Sequence, residues 1–579
     1  MTVPEPGEKQ HQGVGAADGI SVGPAHLLVE VTVPAGGTGG PEEQARAAQA
    51  LQAVAAQLGQ ASARLRRDGR HNEAEILDAS QLMAEDPSLL DEVTVLAATR
   101  PAATALLEAT NRQADALAAI PDAYLAARAA DVRRLGRQAA RLVGMDAGDP
   151  LSPGRGQGEV EPVIIVARDL GPADFAEIEV GGIGIGGIAL AEGSGTSHAG
   201  IMARALGVPL VVGLGDAVLS IEDGTLLVLD GSAGSLAVYP AAATLASAQA
   251  RIAQQQAHRT RLTRSRAAGA VTSDGHAVQL LVNASTEREA LAGLEAGAVG
   301  IGLLRTELAF LDAASWPSDA QHEAAVRPIL RHLAGRVATV RTLDFGADKT
   351  PPFLAGRSER GIALQLSAED ALAAQLRGIL RARGEARVRI MLPLIESAGQ
   401  LAASRALLMS AQQATTPNET PPSLGAMIET QTAVQQIDAL AKAADFLSIG
   451  TNDLAGDVLG VNRLSPAATV RAAADPRVLQ AIRQVTAAAS RHGRTVEVCG
   501  EAAGDPRLAL LLIGLGVSEL SVSPSHLDEV RAAIQSASMP QMRALAANAL
   551  TLDSAEAVLA SLPSTQTHTL SQSKAPSHG

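Results

Sequence analysis

The stretches VQLLVNAS (278–285), AVGIGLLRTE (298–307), VATVRTLDFG (337–346), VRIMLPLIE (388–396), SLGAMIET (423–430), DFLSIGTND (445–453), TVEVCGEA (495–502) and ELSVSP (519–524) decide the fold. Each is a short apolar run rich in β-branched residues, and helical stretches separate them. Parallel βα repeats of this number predict a closed (β/α)8 TIM barrel, which we place at 267–550. Polar residues gather where each run ends: Asn283, Arg305, Asp344, Glu396, Glu429, Asn452, Asp453, Cys499 and Glu501. Barrel active sites are built at that end of the strands, so the distribution is itself a functional signal.

Upstream the texture differs. From Pro41 to about Val143 the sequence is Ala/Leu/Arg/Glu/Gln with helical spacing, broken at Asp86-Pro87 and Arg100-Pro101. This predicts a helical bundle over 41–146, inserted into an α/β domain made of 16–40 and 147–240. The strand-like runs of that domain are GISVGPAHLL (19–28), Val163 to Val166, GGIGIGGIALAE (181–192), VPLVVGLG (208–215) and GTLLVLDG (224–231). Residues 241–266 read as a connecting helix without a core face. The ends, 1–15 and 551–579, lack apolar periodicity and read as disordered tails. The fold class is therefore multidomain α/β.

Composition narrows the function. At 579 residues several cores are needed. Two Tyr, one Trp, five Phe and a net charge of -14 speak against nucleic-acid binding, which needs a basic face or stacking platforms. An anionic substrate would have to be held by local Arg, Lys or metal against that field. A single Cys suits a reducing compartment. The polar start MTVPEPGEKQHQ is no signal peptide, and LALLLIGLGV (508–517) is too short to span a bilayer, so no membrane insertion and a cytoplasmic location are expected.

Within the barrel, Glu429 and Asp453 are hard oxygen ligands on neighbouring strands, suited to Mg²⁺ or Mn²⁺. Each could instead cap a helix or pair with an Arg. Arg305, Arg341 and Lys349 supply the charge a phosphate needs, although each singly also fits a surface salt bridge. Cys499 at a strand end reads either as a buried small hydrophobe or as an acid/base group at the mouth. His198, in GSGTSHAGIMARALGVP (193–209), follows a Gly-rich turn at the start of a helix, where free N–H groups favour a phosphate. A solvated loop histidine is the plainer alternative. GGIGIGG (181–187) fits the dinucleotide spacing, but no βαβ unit or ribose acid follows it.

Five ordered stretches, TSHAGIMARALGVPLVVG (196–213), GIGLLRTE (300–307), RTLDFGADK (341–349), SIGTNDL (448–454) and CGEAAGD (499–505), together resemble enzyme I of the bacterial sugar phosphotransferase system. EAEILDASQLMAEDPSLLDEV (73–93) extends the likeness into the helical block. The resemblance implies a phosphoenolpyruvate (PEP)-protein phosphotransferase with a swivelling phosphohistidine domain, a helical subdomain that docks the carrier HPr, a PEP-binding barrel, Mg²⁺, and a homodimer formed through the barrel. It implies His198 as the phosphoryl acceptor, with Thr196 orienting the ring. Arg305, Arg341 and Arg463 would hold the PEP phosphate, and Asn452 would contact PEP. Glu429 and Asp453 would carry the metal, and Cys499 would donate the proton that makes pyruvate.

The chain departs from the family pattern at Gly195, where an Arg is usual, and at Ala455-Gly456-Asp457, where Thr-Gln-Tyr is usual. It departs again in GIALQL (361–366), where the family's G-x-R-x-x-R run is read as lost at Ala363 and Leu366. The alternative that follows is a weakly active or regulatory phosphotransfer protein, short of one phosphate Arg.

Overall fold

A computed structural model of the chain describes residues 7–28, 37–67, 71–119, 123–144, 162–171, 174, 184–193, 198–346, 350–357, 359–460 and 470–563. It divides into two compact units, Met1–His258 and Arg259–Gly579.

In the first unit eight strands form one sheet: β1 (Lys9–Gln12), β2 (Val14–Ala17), β3 (Ile20–Leu27), β4 (Val163–Ala167), β5 (Ile185–Leu190), β6 (Leu210–Val212), β7 (Leu226–Asp230) and β8 (Ser235–Val238). Their order is β1-β8-β7-β3-β4-β5-β6-β2. The central pairs from β3 to β6 are parallel and the flanking ones antiparallel. The tail expected at 1–15 is corrected here. Lys9–Gln12 pairs with β8 and Val14 opens β2. KQHQ escapes a hydrophobicity reading because an edge strand is held by its backbone and leaves its side chains in water.

The inserted block consists of helices Pro41–Arg67, His71–Ala84, Pro87–Ala97, Ala102–Ala118 and Ala123–Gly144. The expected break at Asp86-Pro87 is a helix start: Asp86 accepts from the Ser88 N–H at 2.8 Å, and Pro87 occupies the first turn, where its missing N–H does no harm. Ala47, Leu51, Val54, Leu77, Leu89 and Leu106 are among the small aliphatics that pack the bundle.

The second unit is a closed parallel barrel of β9 (Gln279–Ala284), β10 (Gly300–Leu304), β11 (Val337–Arg341), β12 (Arg387–Leu392), β13 (Ser423–Ile428), β14 (Phe446–Ile449), β15 (Thr495–Val498) and β16 (Glu519–Val522). Seven lie wholly within the stretches that open the sequence reading, and β12 begins one residue before its stretch. Several outer helices begin at capping boxes, for example Thr286 with Glu289 and Ser397 with Gln400. Inside the barrel, Leu303, Met391, Met427, Phe446 and Cys499 form one apolar layer. The second expected tail, 551–579, is corrected in its first part. Ser554 caps a helix Ala555–Ser561 whose Val558 is buried, as is Leu562, because three apolar residues recur there at helical spacing.

Candidate active site

The C-terminal ends of β10, β11, β13, β14 and β15 surround a cavity of about 270 Å³ lined by Arg305, Arg341, Asp344, Glu429, Asn452, Asp453 and Cys499. Six of these are site residues anticipated from sequence, brought together from separate strands. A second cavity, of about 550 Å³, shares Arg305 and Cys499 with it and extends toward Asn283 and His526. Glu396 lines neither cavity; its N–H is taken by Gln400 at the start of the next helix.

The two arginines differ in kind. Arg341 is buried, 8% exposed, between Glu307 at 2.6 Å and Asp344 at 3.2 Å. Burial pulls its pKa down, but the carboxylates around it, Glu307 foremost, more than compensate and hold it firmly charged. Its carbonyl accepts from the Thr306 hydroxyl, which in turn takes the Gln375 amide, so β10 and β11 are locked at their ends. Arg305 sits one residue past β10, half-buried, and its guanidinium makes no hydrogen bond or ion pair with any described residue. It is the cation left available to an incoming anion.

Glu429 is buried just past β13 and accepts from the Leu394 N–H at 2.9 Å. Gly450 lies against it, so that a Cβ there would stand 2.6 Å from Glu429 Oε1. Burial, with Asp344 and Asp453 adding like charge, pushes the Glu429 carboxyl up to about 8. Asp344 Oδ1 is buried without a hydrogen-bond partner. Asn452 and Asp453 lie in the first turn of the helix Thr451–Leu459, and Asn452 Oδ1 accepts from the Glu501 N–H at 3.1 Å.

Cys499 lies below, its carbonyl accepting from Asn283 Nδ2 at 3.1 Å. The Ser448 hydroxyl reaches its Sγ at 3.4 Å. Burial foremost, with Glu497 adding negative charge, pushes the thiol up to about 12, so it is a protonated acid at neutral pH and no thiolate nucleophile.

His198 is the first residue of the helix His198–Leu206, as its Gly-rich approach predicts. Ala199, Met202 and Ala203 of that helix pack onto the sheet. The His198 side chain, Thr196, Gly195, Lys349 and Arg463 lie outside the described residues.

Models of PEP-utilising enzymes match three stretches in order: the N-terminal part over 12–128, the mobile domain over 159–234 and the PEP-binding domain over 259–539. A phosphoenolpyruvate-protein phosphotransferase of Streptomyces coelicolor is 35% identical over 94% of this chain and 97% of its own length. One from Staphylococcus carnosus is 30% identical over 95% and 98%. The chain belongs to the phosphoenolpyruvate-protein phosphotransferase family. Multiphosphoryl transfer proteins of Xanthomonas campestris pv. campestris and Rhodobacter capsulatus are 36% and 37% identical, and this chain spans only 66% and 59% of their lengths.

Members of this phosphotransferase family work with a divalent metal, and the mouth has the right donors for one. Glu429 and Asp453 are hard oxygens, and burial, then Asp344 and Asp453, disfavour ionisation of Glu429, a penalty that a divalent cation removes. Among the described residues no three His, Cys, Asp or Glu form a ready cage. Magnesium-type sites commonly use one or two carboxylates and leave the other positions to water and substrate.

Two residues were missed as site components. Glu307, fully buried, anchors Arg341, and its signal was present in the quoted stretch GLLRTE. Arg360 is the second. Ala363 is exposed on the short helix Gly361–Leu366, whereas Arg360 at the start of that helix lies against Gly346, two residues past Asp344, with its Nε buried and unpartnered. A guanidinium is therefore present against Gly346, in the same loop as the deficit read at Ala363. Leu366 is half-buried against the barrel core. Ala455 and Gly456 are buried in their helix, and Asp457 accepts from the Gln431 N–H at 2.6 Å, so these departures are accommodated away from the cavity.

Proposed function

We propose that this protein transfers the phosphoryl group of PEP to Nε2 of His198 and then to an HPr-like carrier protein, releasing pyruvate. The observation that carries the reading is one cavity in which an unengaged Arg305 faces a carboxylate pair and a thiol kept protonated. Arg305, Arg341 and Arg463 hold the phosphate, Asn452 contacts PEP, and Lys349 adds charge at the rim. The His198–phosphorus bond forms as the enol oxygen–phosphorus bond breaks. The enolate left behind takes the Cys499 proton at its methylene carbon and becomes pyruvate, and the thiolate regains its proton from solvent. Thr196 orients the imidazole. Glu429 and Asp453 would hold Mg²⁺, with Mn²⁺ as substitute, which when bound would supply charge neutralisation for the phosphoryl group. We place the protein in the cytoplasm, as a dimer through its barrel. Among the described residues no helix is long and apolar enough to cross a membrane. Arg360, close to the mouth, supports the active reading over the weakly active alternative.

Incubation with ³²P-labelled PEP and Mg²⁺ tests this. Acid-labile, base-stable label on the wild type and none on His198→Ala is the expected result. Label that survives the substitution removes His198 from the mechanism.

A further inference from the structure

Of the stretch SIGTNDL (448–454), Asn452 and Asp453 stand at the mouth, whereas Ser448 lines neither cavity there. It lies on β14 two residues past Phe446, so the two side chains share one face of the strand, the face that Phe446 turns into the barrel. Its neighbours in register are Met427 on β13 and Glu497 on β15. Ser448 is fully buried. A hydroxyl inside an apolar layer is costly unless it is hydrogen-bonded, and alanine would fill the same place without that cost.

Among the described residues the partner of this hydroxyl is one atom, Cys499 Sγ at 3.4 Å. The sense of the bond follows from the surroundings. If Ser448 donates, its proton is satisfied on sulfur; if it only accepted, that proton would be buried without a partner. A sulfur that accepts from Ser448 keeps its own proton for another direction. The Ile449 carbonyl already takes the Cys499 N–H at 3.2 Å and lies 3.8 Å from Sγ, so it is a weak second acceptor. The other open direction is the cavity that Cys499 lines. The backbone of Cys499 is held as well: Asn283 Nδ2 donates to its carbonyl at 3.1 Å, and the Ser521 hydroxyl donates to Asn283 Oδ1 at 2.6 Å.

We propose that Ser448 is the positioning residue of the proton donor: it turns the Cys499 S–H toward the methylene carbon of the enolate and hydrogen-bonds the thiolate left behind. The inference rests on the proposed reaction. In it the proton moves from Sγ to carbon, the S–H electron pair stays on sulfur, and the Ser448 O–H bond is not broken. A hydrogen bond donated to sulfur favours the ionised form, against the burial and the Glu497 charge that oppose it.

The chain has one cysteine, so the full-length protein gives one S–H stretching band in the infrared. Ser448→Ala should shift that band, and Ser448→Thr, which keeps the hydroxyl, should leave it near the parent. In steady-state assays with PEP, Mg²⁺ and carrier protein, Ser448→Ala should lower kcat about tenfold or more and keep KM for PEP within about twofold. Ser448→Thr should recover most of that loss. Circular dichroism melts that match the parent exclude unfolding as the cause. If the added methyl of Ser448→Thr lowers the melt, the band and the kcat-against-KM split of Ser448→Ala decide on their own. A band that Ser448→Ala leaves in place, or a kcat that it leaves unchanged, overturns the proposal. A wild type that takes no label from PEP overturns the reaction and this role with it, even where the band shift shows the contact to be present.

Discussion

The barrel holds two buried charge clusters, one at its mouth and one at its floor, and they share an electrostatic signature without sharing a role. At the floor, Arg389 lies 2.8 Å from Glu519 and 3.2 Å from Glu497, and over the Phe446 ring at 4.6 Å. Burial pushes Glu497 up to about 8, as it does Glu429 at the mouth. A shifted carboxyl alone therefore does not mark the active site. What separates the clusters is access: Glu429 lines a cavity with an unengaged guanidinium, whereas Glu497 is sealed beneath the Cys499 layer.

Removing Arg341 breaks the comparison most severely, because under the proposed function it serves substrate binding as well as internal support. Arg341→Ala leaves Glu307 and Asp344 buried without their cation, a loss of about 3–5 kcal/mol of stability. PEP labelling should also fall by about a thousandfold in the folded fraction. Urea midpoints and single-turnover labelling, measured together, check both. Unchanged stability would mean that the buried pairs do not support the mouth.

Arg305→Ala isolates function. With no described partner to lose, Tm should stay within a degree or two, while kcat/KM for PEP drops about a hundredfold or more. A stability loss comparable to that of Arg341→Ala would erase the contrast between the two arginines.

The floor gives a pH effect instead. Glu497 ionises more readily unfolded than folded, since burial raises its folded pKa from 4.5 to about 8. Its contribution is thus fully present below the unfolded value and declines as pH rises toward 8. Urea midpoints between pH 5 and 8 should fall for the wild type, and Glu497→Gln should flatten that fall without altering the KM for PEP. A slope that the substitution leaves intact would assign the pH dependence elsewhere.

Legibility followed the same divide between packing and contact. All eight barrel strands were readable because each is a β-branched run between helices, and Arg305, Glu429, Asn452 and Cys499 were readable as polar residues where those runs stop. The floor was less so, although a charged residue inside VRIML, TVEV or ELSV is a visible interruption of an apolar run. Partners on neighbouring repeats, such as Glu307 for Arg341, are distant in the chain and have no sequence signal of their pairing. The edge strand Lys9–Gln12 was invisible for want of apolar residues. Within the loop after β11 the sequence did not single out Arg360, whose place against Gly346 depends on the fold of the loop.

That loop supplies the smallest effect and the finest test of the mouth. Ala363 is exposed on its helix and Arg360 already lies against Gly346, so a second guanidinium at 363 would point to water. Ala363→Arg should change kcat/KM for PEP by less than about threefold, the range of a solvated surface charge. Arg360→Ala should lower it by about tenfold or more, since its Nε is buried and unpartnered against Gly346, two residues past Asp344. Steady-state kinetics with saturating carrier protein separate the two positions. A large gain from Ala363→Arg together with no loss from Arg360→Ala would restore the deficit at 363 and remove Arg360 from the site.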